Sequence, residues 1–404
     1  MRRGGYLSDM RAVDAELPTV LVATPEAFDA LLRQRPELYR NLAACVFDEF
    51  HLIEQQERGL RYEGLIGRLL SGAAGQGWPK IVALSAVIKD IANVRHWLKI
   101  EDGDIAQLPW RPASRRLAIV NASLRARNIQ YFCPDEKLPG AGGTEEVAWY
   151  GQISLPNLVE TMPLPRYRAR LRQQISENVA QVAIDQWQRL QQPILVLANS
   201  KSGTRVVARA IARQLPELGE TKSTRLAERI RSRFPYLYTL QECLRHGIAY
   251  HNAALPNWVR SQLEEIIGEK ELKIVTATTT LAEGVDLPFR VVILADWHMW
   301  LFGRQQPIPT LLFRNIAGRC GRAWEFVEGD TIIIDNPDEK YTSYPSRHQE
   351  YVRLYVNPQP YPLRSSIERA LEPGSQESLS STVAVLESQI TAHIDACAKS
   401  EDIE

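Results

Sequence analysis

The 404-residue chain carries no net charge, because 48 lysines and arginines balance 48 aspartates and glutamates. It also lacks any apolar run near the roughly 18 residues that a membrane-spanning helix needs, so no membrane partner is expected. Five cysteines, Cys45, Cys133, Cys243, Cys320 and Cys397, are scattered without a Cys-x-x-Cys pair. That spacing argues against a disulfide framework or a zinc site, and the expected setting is a reducing cytoplasm. No secretory leader is expected in these residues either: Met1-Arg2-Arg3 runs into the polar stretch GGYLSDMRAVDAEL rather than an apolar core. What is there, 45% hydrophobic and 24% charged residues, excludes a disordered or fibrous chain. The length predicts roughly two or three domains.

Charge is absent only in sum. Residues 166–260 hold 16 basic against 6 acidic side chains, and residues 325–404 hold 6 against 15. A basic block of that size fits a polyanionic partner as well as a solvated helical surface, and charge alone does not separate the two.

Short apolar, β-branched runs recur: TVLVATPE, AACVFDEFH, KIVALSAV, PILVLANS, KIVTATTT, RVVILAD and DTIIID. Runs of this length without alternation predict parallel strands covered on both faces. Between them lie helical stretches. In GTRVVARAIARQL the residues Val206, Val207, Ala210, Ile211 and Leu215 fall on one stripe, and in PNWVRSQLEEIIG so do Val259, Leu263, Ile266 and Ile267. The alternation predicts an α/β fold. It breaks where Pro and Gly crowd the chain, so residues 1–110 are expected as domain one and 166–340 as domain two. Residues 111–165 are expected as a linker with an irregular or β-hairpin insertion, and 341–404 as an acidic tail with a helix through Leu379, Val383, Leu386, Ile390 and Ile394.

Asp48-Glu49-Phe50-His51 closes one of the apolar runs. Two adjacent carboxylates at the end of a parallel strand lie at the crevice where α/β sheets bind ligands. One can hold Mg²⁺, the next can orient and deprotonate a water, and the histidine can sense the occupied state. Alone, the four residues fit a plain acidic strand-to-helix turn equally well. The context is RGLRYEGLIGRLL (58–70) and then Ser85-Ala86-Val87 at the end of the next run.

Taken together, these residues resemble superfamily 2 helicases of the DExH type, and most of all the Ski-like branch. Asp48 to His51 resembles motif II, Thr24-Pro25-Glu26 motif Ib, and Ser85-Ala86-Val87 motif III, with Val87 in place of the usual threonine. Arg58, Gly59 and Glu63 resemble the helix that follows motif II in that branch. RPASRRLAIV (111–120) is similar to the bridge between the two domains. Further on, LANSKSGTRVVA (197–208) resembles motif IV, and GIAYHNAAL (247–255) resembles GxxxHHAGL, with Asn252 for the second histidine. ATTTLAEGVDLP (277–288) resembles motif V, and Arg314 to Arg322 resembles motif VI, with Asn315 where glutamine is usual. The resemblance runs from about Thr19 to Asp335, roughly three quarters of the chain.

It implies two RecA-like parallel-sheet domains in tandem and an ATP-dependent helicase or translocase using ATP and Mg²⁺. Asp48 would hold the metal, Glu49 would be the general base beside His51, and Ser85 would couple hydrolysis to domain movement. Arg319 and Arg322 would meet the γ-phosphate, with Gly284, Asp286 and Asn315 also at the nucleotide. Thr24 and Pro25, then Ser200, His251, Thr278, Thr279 and Thr280, would line the path of single-stranded DNA or RNA. The spacings agree: arginines three apart share a helix face, glycine admits close backbone approach, and threonines offer hydroxyls to phosphates. Trp297, His298 and Trp300 read either as base-stacking groups or as packed loop aromatics. Cys320 fills a small-residue slot.

One part is missing. No Gly-Lys dipeptide occurs, so the GxxxxGK[ST] loop that cradles phosphates, motif I, is absent. The expectation is therefore a first domain incomplete at its N-terminus, no C-terminal accessory domains, and a chain inactive in isolation. A non-catalytic, nucleic-acid-binding pseudo-helicase subunit, or half of a split helicase with motif I on a second polypeptide, are the alternatives.

Overall fold

The computed structural model describes residues 20–35, 38–54, 56–71, 79–85, 92–98, 100–106, 114–123, 126–139, 145–154, 168–278, 289–301, 304–318, 320–321, 326–335, 350–356, 365 and 367. The chain divides into two compact units, residues 1–106 with 360–404, and residues 107–359.

In the first unit the Thr24 hydroxyl accepts from the Ala27 amide and caps α1 (Pro25–Gln34). Proline at the first helical position suits that start, since its missing N–H has no partner to lose there. Then come α2 (Leu38–Asn41), β1 (Ala44–Phe47), α3 (Gln56–Ser71), β2 (Lys80–Ala83) and α4 (Ala92–Leu98). β1 and β2 pair in parallel, Ala44 opposite Lys80 through Phe47 opposite Ala83. Leu31, Leu32, Phe47, Phe50, Tyr62, Leu65, Ile66 and Leu69 fill the core, with the Tyr62 ring edge-on to Phe47 at 5.6 Å. Only one face of this pair is covered. Cys45 and Phe47 are buried, while Val46 on β1 and Val82 and Leu84 at β2 are exposed. The expectation of strands buried on both faces fails here. TVLVATPE likewise yields no extended strand among the described residues: Val20 and Val22 are exposed, and Val22 makes a single-residue bridge.

The second unit opens with β3 (Ser114–Ser123), β4 (Ala126–Pro139) and β5 (Glu145–Ser154). There follow α5 (Arg168–Leu190), β6 (Ile194–Leu197), α6 (Lys201–Ala212), α7 (Lys222–Arg233), α8 (Tyr238–Arg245) and β7 (Ile248–His251). Next are α9 (Asn257–Gly268), β8 (Ile274–Ala277), β9 (Val291–Leu294), the hairpin β10 (His298–Leu301) with β11 (Arg304–Pro307), α10 (Thr310–Gly318) and β12 (Glu328–Asp335). Eight strands form one sheet in the order β5-β4-β3-β12-β9-β6-β8-β7. From β3 to β7 the pairs are parallel, and β4 and β5 continue antiparallel beyond β3. Every residue of β6, β7, β8 and β9 is buried, the pattern of a parallel sheet with helices on both faces. The fold is thus the α/β type that the sequence predicts.

Two details differ from the sequence pattern. On α6 the buried stripe is Thr204, Val207, Ala208, Ile211 and Ala212, while Val206 is exposed. The stripe is rotated because α6 rests against α5 and α8 as well as the sheet. Segment 111–165 supplies β3, β4 and β5 to the second unit's sheet, with Glu328 opposite Ser114 and Asp335 opposite Asn121. On α9 the buried residues are the four expected, Val259, Leu263, Ile266 and Ile267. Beyond residue 340, Tyr351, Tyr355 and Val356 enter the second unit's core. The helix expected through Leu379 to Ile394 lies outside the described residues.

A buried ion network joins β3 to β12. Asp330, 1% exposed, accepts from Arg116 Nε at 2.7 Å and Nη2 at 3.0 Å, the bidentate geometry that makes guanidinium–carboxylate pairs strong. Glu328 sits 3.1 Å from Arg116 and 2.8 Å from Arg290. The hydrogen bond to Asp330 raises the Arg116 pKa above its ordinary value. Asp330→Ala would remove the buried bidentate partner of Arg116 and leave both arginines sharing the more exposed Glu328. It is expected to destabilise the chain by on the order of 3 kcal/mol in urea unfolding, whereas Arg116→Met with Asp330→Leu is expected to recover most of that loss.

Candidate functional site

Asp48 and Glu49 leave β1 at its carboxyl end. Two main-chain bonds carry the β1–β2 pairing past both strands, from the Leu84 amide to the Phe47 carbonyl and from the Phe50 amide to the Leu84 carbonyl, each 2.9 Å. They set Ser85 against the acidic turn. Ser85 Oγ lies 3.4 Å from His51 Nδ1, and Glu49 Oε2 lies 3.3 Å from the same nitrogen. Three of the expected residues therefore meet at one buried imidazole. Glu49 adopts φ 52°, a left-handed conformation that costs a residue with a Cβ roughly 1–2 kcal/mol. The surroundings hold it there: Asp48 Oδ1 accepts from the Glu49 amide at 2.9 Å, the Leu52 amide donates to the Glu49 carbonyl, and the Tyr62 hydroxyl donates to the Asp48 carbonyl at 3.1 Å.

Among the described residues no cluster of three or more metal-ligating side chains exists; the turn itself offers the two adjacent carboxylates of Asp48 and Glu49. It fits Mg²⁺, which is held by one or two carboxylates and completes its shell with water and phosphates. Asp48 is exposed and engages one oxygen with the backbone, leaving Oδ2 for a cation. Glu63, from the segment after the acidic box, plays a different part. Buried on α3, it accepts from Ser365 Oγ at 2.6 Å and from the Ile367 amide at 3.2 Å. Thr24 and Pro25 stand at the start of α1, with Thr24 exposed.

In the second unit the candidates gather where β6, β7 and β8 end. Ser200 is exposed and caps α6, its Oγ accepting from the Gly203 amide at 3.0 Å. Asn252 is buried; its Nδ2 donates to Thr204 Oγ1 at 3.0 Å and its Oδ1 accepts from the Ala254 amide at 3.0 Å. Thr276 Oγ1 donates to the Thr204 carbonyl at 2.8 Å. The first turn of α6 therefore pins three strand ends together, and Thr278 follows the third. Asn252 and Thr204 are organisers that sequence reasoning passed over; the only signal was Asn252 standing where the resembling family has histidine. His251 turns inward. It is 6% exposed, with Nε2 3.0 Å from Glu264 Oε1 on α9. Burial lowers its pKa below the ordinary imidazole value, and Glu264 pulls in the other direction.

Asn315 lies partly buried on α10. After that helix, Cys320 bridges in parallel to Phe289, and the Gly321 amide donates to the Phe289 carbonyl at 3.2 Å. Gly321 has φ 63°, and a Cβ there would fall 2.4 Å from the Gly329 amide nitrogen. A Cβ on Gly329 would fall 2.5 Å from the Cys320 carbonyl carbon. Two glycines thus press backbone on backbone, locking the turn at Cys320 and Gly321 to β12 and to Phe289. Burial pushes the Cys320 thiol up to about 12, which suits a packing residue rather than a reactive one. Trp297 is fully buried with Tyr351 edge-on at 4.3 Å, and His298, at the start of β10, is buried beside it, so both are packing groups. Thr279, Thr280, Gly284, Asp286, Arg319 and Arg322 lie outside the described residues, as does the Trp300 side chain.

The family model for DEAD/DEAH box helicases matches residues 5–94. Among curated proteins, the chain is similar to the ATP-dependent DNA helicase Hel308 of Aeropyrum pernix, 28% identical over 344 residues, covering 84% of this chain and 41% of that protein. It is similar also to Hel308 of Caldivirga maquilingensis, 27% identical with 84% and 41% covered, and of Pyrococcus horikoshii, 28% identical with 80% and 38% covered. The chain thus spans about two fifths of the length of these relatives.

The glycine contact generates a direct test. Gly329→Ala is expected to destabilise the chain by about 1–3 kcal/mol, because backbone rather than a flexible side chain must move. Gly268→Ala, at a position with nothing within 4 Å of the new Cβ, is expected to be neutral or slightly stabilising. Equal unfolding midpoints for the two variants would remove the locking role assigned to this contact.

Proposed function

We propose that this chain carries catalytic and nucleic-acid-binding parts of a DExH-type superfamily 2 helicase of the Ski-like branch, which couples ATP hydrolysis to movement along DNA or RNA. The observation that carries the reading is the acidic turn after β1, where Glu49 is held left-handed and shares His51 Nδ1 with Ser85. A non-glycine residue in that conformation persists only where the surroundings over-determine it, and such residues cluster at functional sites. The matched family model and the helicase names of the relatives support the same reading.

In it, Glu49 accepts the proton of the attacking water, and His51 relays the state of that carboxylate to Ser85. Asp48 would hold Mg²⁺, which supplies charge neutralisation at the phosphates. Asn315, with Arg319, Arg322, Gly284 and Asp286, is assigned to the nucleotide. Thr24, Pro25, Ser200, Thr278, Thr279 and Thr280 are assigned to the nucleic-acid backbone. His251 is assigned to that path through its loop, since its ring is occupied by Glu264. No Gly-Lys dipeptide occurs in these 404 residues, so the phosphate-cradling lysine comes from outside them, in a longer chain or on a second polypeptide. The same absence favours, as a second reading, a non-catalytic nucleic-acid-binding role for these residues by themselves.

In a polypeptide that includes a phosphate-binding loop, Glu49→Gln is expected to lower nucleic-acid-stimulated ATP turnover by about 10²–10⁴, the usual scale for general-base help. Nucleotide binding should persist. Unchanged turnover in a steady-state phosphate-release assay would show that the acidic turn is not the catalytic site. The 404-residue chain should bind single strands with little sequence preference, its log affinity falling with log salt by about 0.7 per phosphate contacted. Salt-independent binding would count against the assignment of the strand-end hydroxyls.

A further inference from the structure

At the outer end of the second unit's sheet lies a group of arginines and aromatics that the reading above does not use. β7 is the last strand of the sheet, and α9 starts shortly after its carboxyl end with Asn257 and Trp258. Lys222, at the start of α7, pairs with Glu269 and Glu271 beyond the far end of α9. Arg233, at the end of α7, lies over Trp258 at the near end. The two helices are therefore antiparallel. The end of α7 and the segment from Phe234 to Tyr238 stand at the carboxyl edge, the edge that also holds Ser200, Asn252 and Thr278.

Trp258 is the centre of this group. The guanidinium carbons of Arg229 and Arg233 sit 5.1 and 4.8 Å from its ring centroid, and Phe234 lies 6.0 Å from it. Tyr236 packs edge-on to Phe234 at 6.2 Å. Tyr236 and Tyr238 nevertheless remain 65% and 66% exposed. The other cations nearby have acidic partners: Lys222 with Glu269, Arg225 with Glu220, Arg231 and Arg245 with Glu228. Arg229 and Arg233 have no carboxylate partner among the described residues. Like charges at i and i+4 repel on a helix, and here no acid relieves them. Two guanidinia aligned by an aromatic plane, beside two outward tyrosines, are the ingredients of a platform that binds phosphates and stacks unpaired bases.

We propose that Arg229, Arg233, Trp258, Tyr236 and Tyr238 form an additional grip for single-stranded nucleic acid, continuing the carboxyl-edge path beyond β7. The inference rests on the reading that this edge binds nucleic acid, and commits to a partner with unpaired bases and phosphates. An acidic peptide would satisfy the arginines but leave the exposed tyrosines without a role.

The test uses the 404-residue chain and fluorescent oligo(dT) and oligo(U) of about 6 and about 20 nucleotides. Two variants, Arg229→Gln/Arg233→Gln and Tyr236→Ser/Tyr238→Ser, change exposed side chains only, and unfolding midpoints verify that each stays folded. Each is expected to weaken binding of the longer strands roughly tenfold or more while leaving the shorter ones within about twofold. The arginine variant should also shallow the salt slope by about 1.4, two phosphate contacts at about 0.7 each. The tyrosine variant should lose affinity without changing that slope. Loss with DNA alone or RNA alone would support the grip and identify the strand it serves. If the wild-type chain binds neither oligonucleotide, both this inference and the helicase reading fall. If it binds and both variants match it, only this inference falls, and the arginines are an internal brace for Trp258. Binding of a poly-glutamate peptide that the arginine variant abolishes, with strand binding intact, would overturn it in favour of a protein partner.

Discussion

A parallel β-ladder ends every strand at the same edge, and in each unit of this protein that constraint decides where chemistry can sit. The fully buried strands of the second unit, and the half-covered pair of the first, deliver the polar groups that follow them together at the carboxyl side. In the second unit Ser200, Asn252 and Thr278 follow β6, β7 and β8 in this way. In the first, Asp48 and Ser85 follow the paired strands β1 and β2. The pairing that puts Phe47 opposite Ala83 is thus the reason that an acidic turn and a serine far apart in sequence share one imidazole nitrogen. A slip of one residue would exchange the buried and exposed faces of β1 and move Ser85 away from His51.

The second unit adds two contacts that fix the sheet's register where hydrophobic burial alone is indifferent to it. Valine and isoleucine runs tolerate sliding past one another, because every position offers a similar surface. Asp330 does not, since only one register sets it against both Arg116 Nε and Nη2. The contact of Gly321 with Gly329 is equally selective, for opposite reasons: it excludes every side chain rather than requiring one. Together they attach β3 and the turn at Gly321 to β12, so that segments remote in sequence share one frame.

Much of this was legible in the sequence because parallel strands and amphipathic helices write their burial directly into the residue pattern. β6, β8, β9 and β12 fall on the apolar runs, the buried face of α9 is the one its spacing predicts, and the acidic box lies at a strand end. What was not legible depends on partners distant in the chain. Val206 belongs to the apolar stripe by spacing but is exposed, because the neighbours of α6, rather than its own periodicity, choose the buried face. His251 faces Glu264 because the loop after β7 turns back through Asn252 and Ala254, which no local pattern encodes. Trp297 and His298 looked able to stack on bases until Tyr351, more than fifty residues on, proved to cover the first. Glu63 lies, as its spacing predicts, on the helix after the acidic box, but its bonds to Ser365 and Ile367 come from the far end of the chain. The platform around Trp258 was invisible for the same reason, since its parts come from α7, the turn into α8 and α9, with β7 between them.

The acidic turn is held differently from the strand ends of the second unit, and the difference follows from packing. β6 to β9 are covered on both faces, so the groups that follow them inherit rigidity from the core. Among the described residues β1 and β2 form a two-stranded pair, which by itself is marginal, and Val46, Val82 and Leu84 on its outer side are exposed. Core burial on one face cannot by itself pay for a left-handed Glu49. The conformation is instead fixed by short-range bonds: Tyr62 on the Asp48 carbonyl, Leu84 and Phe50 across the strand ends, Leu52 on the Glu49 carbonyl, and Asp48 on the Glu49 amide. Each is worth about 1 kcal/mol net, so no single one outweighs the backbone strain with much margin, but together they do. The geometry of Glu49, His51 and Ser85 is therefore a cooperative property of that local set, set more by polar bonds than by hydrophobic burial.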